Sequence, residues 1–494
     1  MSTLVQRVVV VGSGSEAWLA AAALKRAFRH VNLDVVVLEP GSAADSPLAQ
    51  WTLPSLRSLH GLLGIRESDF MRETGATFRL ASEHQQWQNT ASGFIHAYGE
   101  IGVVLNRIPF YKYLLLRALR RQAEPVEIYS LAATAARLGR FARPMESANS
   151  LTASFTYAFH IDERPYSEFL RRHAEKLGVR IVRGTFTGVS RLPDGRVQSL
   201  SVADQAAITG DYFLDCSGRE ALLMSSIASL DRDDWSAWLP ADRRIAAHAA
   251  ALTDAAPLTR TVATESGWMW QMPLARSSAA GYVYSSRAAN DGAALAQLRG
   301  FANVGDDVTT RPLKAGRRKQ FWNANCIAIG TTAMELEPLA GADLHLAQFG
   351  IAALVELFPL NADSSLEAIE YNRILSAQAD SLRDFTIAHY RAAAPRSGEY
   401  WRAAASHPAP DSLAARLDLF RANGRITLLD HEAFEETDWA WLLLGTGCLP
   451  AALELHMTEN LRHAAPEHFA TLRAAIQSLA ASMPRHMDHF ERRA

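Results

Sequence analysis

An α/β fold is predicted for this chain of 494 residues on three observations. A β-branched run, Arg7 to Val11, leads into the turn Gly12-Ser-Gly14-Ser-Glu-Ala17 and an apolar helical stretch, Trp18 to Phe28. A second apolar run, Val35 to Leu38, ends in an acid, Glu39. Two later runs, Phe213 to Gly218 and Asn325 to Gly330, read as buried strands that close on glycine.

Each element has a physical reason. The valines give the pattern of a buried parallel strand. Gly12 allows the tight turn, Gly14 lets the backbone approach a pyrophosphate, and the helix N-terminus offers free N–H groups and a positive dipole end. Ala17 takes the third glycine position, and Glu39 can accept hydrogen bonds from ribose hydroxyls. A glycine turn that only packs a helix on a sheet is the alternative. The two late strands are typical of FAD boxes and rare in NAD dehydrogenases of this length, so FAD is the expected nucleotide. The predicted class is an FAD-binding Rossmann-like box of the flavoprotein monooxygenase type with a mostly helical substrate-facing region. Helical periodicity over 366–390 and 411–421 and an amphipathic stretch from Leu472 to Met483 supply that region. The expected division is 1–365 for the box, with interleaved substrate-facing segments, and 366–494 for the helical part. Ala392 to Pro410 and Met145 to Ser154 read as surface connections.

Composition excludes several classes. A net charge of −2 with pI near 6.8 argues against nucleic-acid binding. Cys216, Cys326 and Cys448 are far apart, which fits neither a disulfide framework nor a zinc site and points to a reducing cytoplasm. The opening residues lack the length and cleavage site of a secretory signal. The apolar run from Trp439 to Leu453 is too short and too broken by Gly445, Gly447 and Pro450 to span a bilayer. No metal site is expected: Pro466 interrupts the helix register among His456, His463 and His468, and His486 and His489 read as an exposed tail. No G-x-S-x-G elbow is present.

Gly267-Trp268-Met-Trp270-Gln-Met-Pro273 stands out, because tryptophans spaced i, i+2 lie on one face of a strand. Two core indoles on a half-buried strand are the plain reading. The segment also resembles the W-x-W-x-I-P motif of the flavin-dependent tryptophan halogenases. So do other segments, in the family's order. Phe78 to Trp87 resembles the stretch with the family's catalytic lysine, Tyr157 to Asp162 its Y-A-Y-H-F-D, and Asp215 to Gly218 its D-C-x-G turn. Gly281 to Ser286, Ala315 to Lys319, Glu337 to Leu339, Asp384 to Tyr390 and Trp439 to Pro450 are also similar to family segments.

The resemblance implies a reaction in which reduced FAD (FADH2 from a separate flavin reductase) and oxygen oxidise halide to hypohalous acid. The oxidant then crosses a tunnel to a small aromatic substrate. Trp268, Trp270 and Pro273 would form the wall between flavin and substrate. The lysine position falls on Arg79, whose guanidinium can hold an anion but offers no free amine. The glutamate position falls on Ala340, with Gly341 and Ala342 at the halide region. The family's G-x-G-E-A-T-x-P flavin loop appears as Pro47-Leu-Ala-Gln50-Trp51-Thr52-Leu-Pro54, where proline and alanine replace glycines and Trp51 adds bulk. Gln50, Thr52, Gly218 and Gly330 join Gly12, Gly14, Ala17 and Glu39 as expected cofactor contacts. Arg79 has a second reading, a salt-bridged arginine lining a pocket. Two functions follow: an FAD-dependent enzyme acting on an indole-like or other aromatic compound, and a catalytically degenerate relative that binds an aromatic ligand or pairs with an active subunit. Neither nucleic acid nor membrane is an expected partner, and a homodimer is the candidate assembly.

Overall fold

The computed structural model describes all residues except 1–3, 41–46, 88–92, 146–149, 228–230, 342, 362–363, 393–395, 455–465 and 492–494. The chain forms two compact units, each assembled from three separate segments. The first comprises 1–76, 161–236 and 313–380; the second comprises 77–160, 237–312 and 381–494.

The first unit holds the parallel sheet from which the glycine turn leads. Its six-stranded sheet runs in the order Trp322–Asn323, Cys326–Ala328, Tyr212–Asp215, Arg7–Val11, Asp34–Glu39, Arg180–Arg183. All neighbours are parallel except the first pair. Val8, Val9, Val10 and Val11 are all fully buried, as a central parallel strand requires. The helix Ser15–Ala27 leaves the sheet at Gly14 and buries Ala17, Trp18 and its alanine run. Both glycine-ended runs of the sequence are strands here, Tyr212–Asp215 lying beside Arg7–Val11 and Cys326–Ala328 beyond it.

The second unit is built on a seven-stranded sheet in the order Val304–Pro312, Arg243–Ala249, Ser278–Tyr284, Gly267–Pro273, Leu258–Ala263, Ala81–Gln85, Phe94–Ala97. The tryptophan strand is therefore central. Its cross-strand partner of Trp270 is Gly281. A Cβ at Gly281 would lie 2.5 Å from two carbons of the Trp270 ring and 2.6 Å from the Ile245 carbonyl oxygen, so only glycine makes room for this indole.

The helical expectations hold at Ser365–Arg391, Asp411–Asn423 and Pro466–Ser482. Two readings are corrected. The stretch Ala392 to Pro410 contains the helix Glu399–Ser406, which buries Tyr400, Trp401 and Ala404. His486 is fully buried and bonds the Ala255 carbonyl at 2.7 Å through Nδ1, so it is no exposed tail residue. In the other connection, Met145 to Ser154, residues 146–149 lie outside the described part, as do His456 and His463.

Candidate active site

The strand bearing Arg79 and the tryptophan strand both lie in the second unit but belong to different sheets. Thr77–Arg79 pairs antiparallel with Ala158–Asp162, setting Thr77 opposite His160 and Arg79 opposite Ala158. Two strands that resembled separate family segments are thus adjacent.

A continuous hydrogen-bond chain joins Pro273 to Arg79. The Thr77 hydroxyl donates to the Pro273 carbonyl at 2.8 Å. Having spent its proton, it accepts from His160 Nδ1 at 3.2 Å. His160 Nε2 must then be the acceptor, and it takes the Thr259 hydroxyl at 3.0 Å. Thr259 Oγ1 in turn accepts from Arg79 Nε at 2.9 Å. His160 is buried, and burial holds its pKa well below the usual imidazole value, which keeps the ring neutral as the chain demands. The remaining guanidinium nitrogens donate to the Tyr98 hydroxyl and, at 2.5 Å, to Ser82 Oγ. Arg79 is buried, and desolvation lowers its pKa. All three of its nitrogens are held by hydroxyls, which fixes the cation in place.

Trp268 and Trp270 are both buried, at 0% and 4% exposure. Trp268 lies 6.1 Å from Trp87, whose ring meets Trp401 edge-on at 5.2 Å. Trp401 donates its indole N–H to Thr264 O at 2.7 Å, and Trp87 donates to His389 O at 2.8 Å. The indole N–H groups of these two partners are thus satisfied within a packed aromatic cluster.

The other expected positions fall in the first unit. Gly14 caps the helix Ser15–Ala27 without a side-chain bond of its own, and the first helix amide, Ser15 N, donates to Glu163 Oε1 at 2.9 Å. Glu39 ends its strand and accepts from Arg183 Nε at 2.8 Å. Gly218, at φ +71°, gives its carbonyl to Thr332 Oγ1 at 2.9 Å. Asp215 accepts from the amides of Leu223 and Met224 at 2.9 and 2.8 Å and so pins the glycine turn after its strand. Thr52 is fully buried. Gln50 is committed elsewhere, donating to Glu163 Oε2 at 2.6 Å. Ala340 is buried and closes a short 3-10 turn, and Gly341 follows at φ +68°. A Cβ on Gly341 would lie 2.9 Å from Trp51 Cδ1, so the bulky residue of the flavin loop packs directly on the expected halide turn. Ala342 lies outside the described residues.

The glycine turn, the helix N-terminus and Glu39 are the parts that suit a dinucleotide. The carboxyls of Glu16 and Glu163 crowd its phosphate end, and neither was singled out in the sequence. The acid inside the glycine turn was the available signal for Glu16.

The parallel box with a glycine turn, joined to a unit carrying a buried W-x-W strand, defines an α/β flavoprotein of the monooxygenase type. A tryptophan halogenase family model matches residues 7–460, and the chain belongs to that family. Among solved structures, BrvH, a flavin-dependent halogenase from Brevundimonas sp. BAL3, superposes with a TM-score of 0.93 at 31% identity, covering 99% of each chain. Xcc4156, a flavin-dependent halogenase from Xanthomonas campestris, gives 0.92 at 32% identity over 100% of this chain and 99% of that one. Tryptophan 7-halogenase RebH from Lentzea aerocolonigenes is 28% identical over 491 residues, 92% of this chain and 91% of its own. Among the described residues no helix is long and apolar enough to cross a membrane.

Proposed function

We propose that this chain is a flavin-dependent oxidoreductase that acts on a small, indole-like aromatic compound and lacks lysine-dependent halogen transfer. FAD, reduced by a separate reductase, would supply the electrons that activate oxygen. Family membership and the flavin dependence of BrvH and Xcc4156 support the cofactor. The observation that carries the departure from halogenation is the state of Arg79. Its Nε, Nη1 and Nη2 are each held by a hydroxyl, on Thr259, Tyr98 and Ser82. A guanidinium has no free amine with which to capture halogen. Ala340, at the glutamate position, has no carboxylate for acid–base work. The side chains of Thr77, His160 and Thr259 are positioning groups that hold this cation.

A second reading has its own support. Trp51 packed on Gly341 favours a relative that keeps the fold and binds an aromatic ligand, or partners an active subunit, without flavin turnover.

The test is a mass-spectrometric product assay with FAD, a flavin reductase, chloride or bromide, and a panel of indoles. We expect an oxidised aromatic product that requires both flavin and reductase. Halogenated product is expected at roughly 10²-fold or more below the output of a family enzyme run alongside, the usual cost of losing a positioned catalytic group. Halogenation at matching rates refutes the proposal. Absence of any flavin-dependent product favours the second reading.

A further inference from the structure

We propose that Glu16 and Glu163 make cofactor binding proton-linked, so that the pyrophosphate of FAD enters its cradle only when these two carboxyls are neutral. The inference rests on the reading that the box takes FAD.

A dinucleotide pyrophosphate belongs at the N-terminus of the helix after the glycine turn. In this chain that end already faces a carboxyl. Ser15 N, the first amide of the helix, donates to Glu163 Oε1 at 2.9 Å. The Ser15 hydroxyl and Gln50 Nε2 donate to Glu163 Oε2 at 3.0 and 2.6 Å. Glu163 is only 4% exposed and answers the helix end as a bound anion would. Glu16, the second residue of the same helix, reaches the turn after Cys326–Ala328. There the Thr331 amide donates to its two oxygens, at 3.1 and 3.2 Å, and the Thr331 hydroxyl lies 3.2 Å from Oε1. The Glu16 carboxyl takes the space beside Gly330, where a Cβ would sit 2.1 Å from it. Gly330, at φ +64°, is thus paired with an acid that fills the space beside it.

Among the described residues, the charged groups that act most on the pair are acidic. Asp162 acts on Glu163, and Glu163 and Asp343 act on Glu16; Tyr166 and Cys216 respond to the pair in turn. Burial is the main cause that pushes Glu163 up to about 7 and Glu16 up to about 8, with the hydrogen bonds from Ser15, Gln50 and Thr331 opposing it. Both groups therefore exchange protons around neutral pH. An ionised carboxylate repels the pyrophosphate, whereas a neutral carboxyl carries an O–H that can donate to a phosphate oxygen. Each group that must take up a proton weakens binding about tenfold per pH unit above its own pKa, and both together about a hundredfold.

The experiment is titration of FAD into the full chain, read by flavin and tryptophan fluorescence, between about pH 6 and about pH 9, the range that spans both groups. The Kd should rise at least about tenfold across that range. Calorimetry at about pH 7.5 in buffers of different ionisation heat should count about one proton taken up per FAD. In the double variant Glu16→Gln with Glu163→Gln, the Kd should be flat with pH and, at the alkaline end, at least about tenfold lower than in the wild type. Binding by the double variant alone also supports the inference. A pH-independent wild-type Kd, or a double variant that keeps the wild-type slope, overturns it and leaves the flavin reading intact. Failure of both proteins to bind FAD at any pH overturns both. If the double variant does not fold, the wild-type slope and the proton count decide.

Discussion

Replacing Thr259 with valine tests whether the chain from Pro273 to Arg79 is a working structural element. Thr259 is fully buried, and valine nearly matches its shape, so the change removes a hydroxyl and leaves little cavity. Two hydrogen bonds are lost. The bond to His160 Nε2 at 3.0 Å is between neutral groups and contributes about 0.5–1.5 kcal/mol. The bond from Arg79 Nε at 2.9 Å is charge-assisted and contributes about 1.5–3 kcal/mol. Both leave a buried polar atom without this partner, so the expected loss of unfolding free energy is about 2–4.5 kcal/mol. Urea unfolding followed by tryptophan fluorescence measures it, read as a midpoint shift at constant slope. Thr259→Ser restores the hydroxyl and removes one methyl, so it should cost only about 1 kcal/mol. A loss below about 1 kcal/mol for valine, or equal losses for valine and serine, would refute the reasoning.

Acid should destabilise the fold. His60, His84, His160, His389 and His486 are buried and His345 is half-buried, and desolvation holds each below the usual imidazole pKa of 6.5. They stay neutral when folded and take protons when unfolded, so below about pH 6.5 stability falls by about 1.4 kcal/mol per group per pH unit. Glu16 and Glu163, raised from 4.5, act in the opposite direction, but the histidines outnumber them. Equal urea midpoints at about pH 7 and about pH 5.5 would contradict this. Gly281→Ala should cost at least about 1–3 kcal/mol, because its Cβ must push both the Trp270 ring and the Ile245 carbonyl. Adding Trp270→Leu should recover part of that loss, and an unaffected midpoint in the single variant would count against the packing described.

Local pattern made the box legible. The valine run, the glycine turn and Glu39 follow one another within the first 39 residues, and each has a local physical reason. The family resemblance and the strand spacing of Trp268 and Trp270 could be read in the same way. The partners of these residues could not. Thr259 and Arg79 are 180 residues apart, and Ser15 and Glu163 are 148 apart. No spacing rule connects such pairs, since folding alone brings them together. The helix Glu399–Ser406 was hidden for a different reason. Its stretch is rich in alanine, proline and serine, and its buried face is only Tyr400, Trp401 and Ala404 in an eight-residue helix, too short for a periodic signal to stand out.

The interleaving of the two units bears on how this protein is made. The strand Arg7–Val11 finds Asp34–Glu39 almost at once, but its other neighbour, Tyr212–Asp215, is synthesised some two hundred residues later. At ribosomal rates of about 5–20 residues per second, that edge waits roughly 10–40 s. During that time the nascent chain carries an apolar strand with an open hydrogen-bonding side, a template for pairing with another chain. The unit is not complete until residue 380 has been added. Chaperone supply and low synthesis temperature should therefore govern the yield of this protein more than its final stability does, and no truncation at a single point can isolate either half.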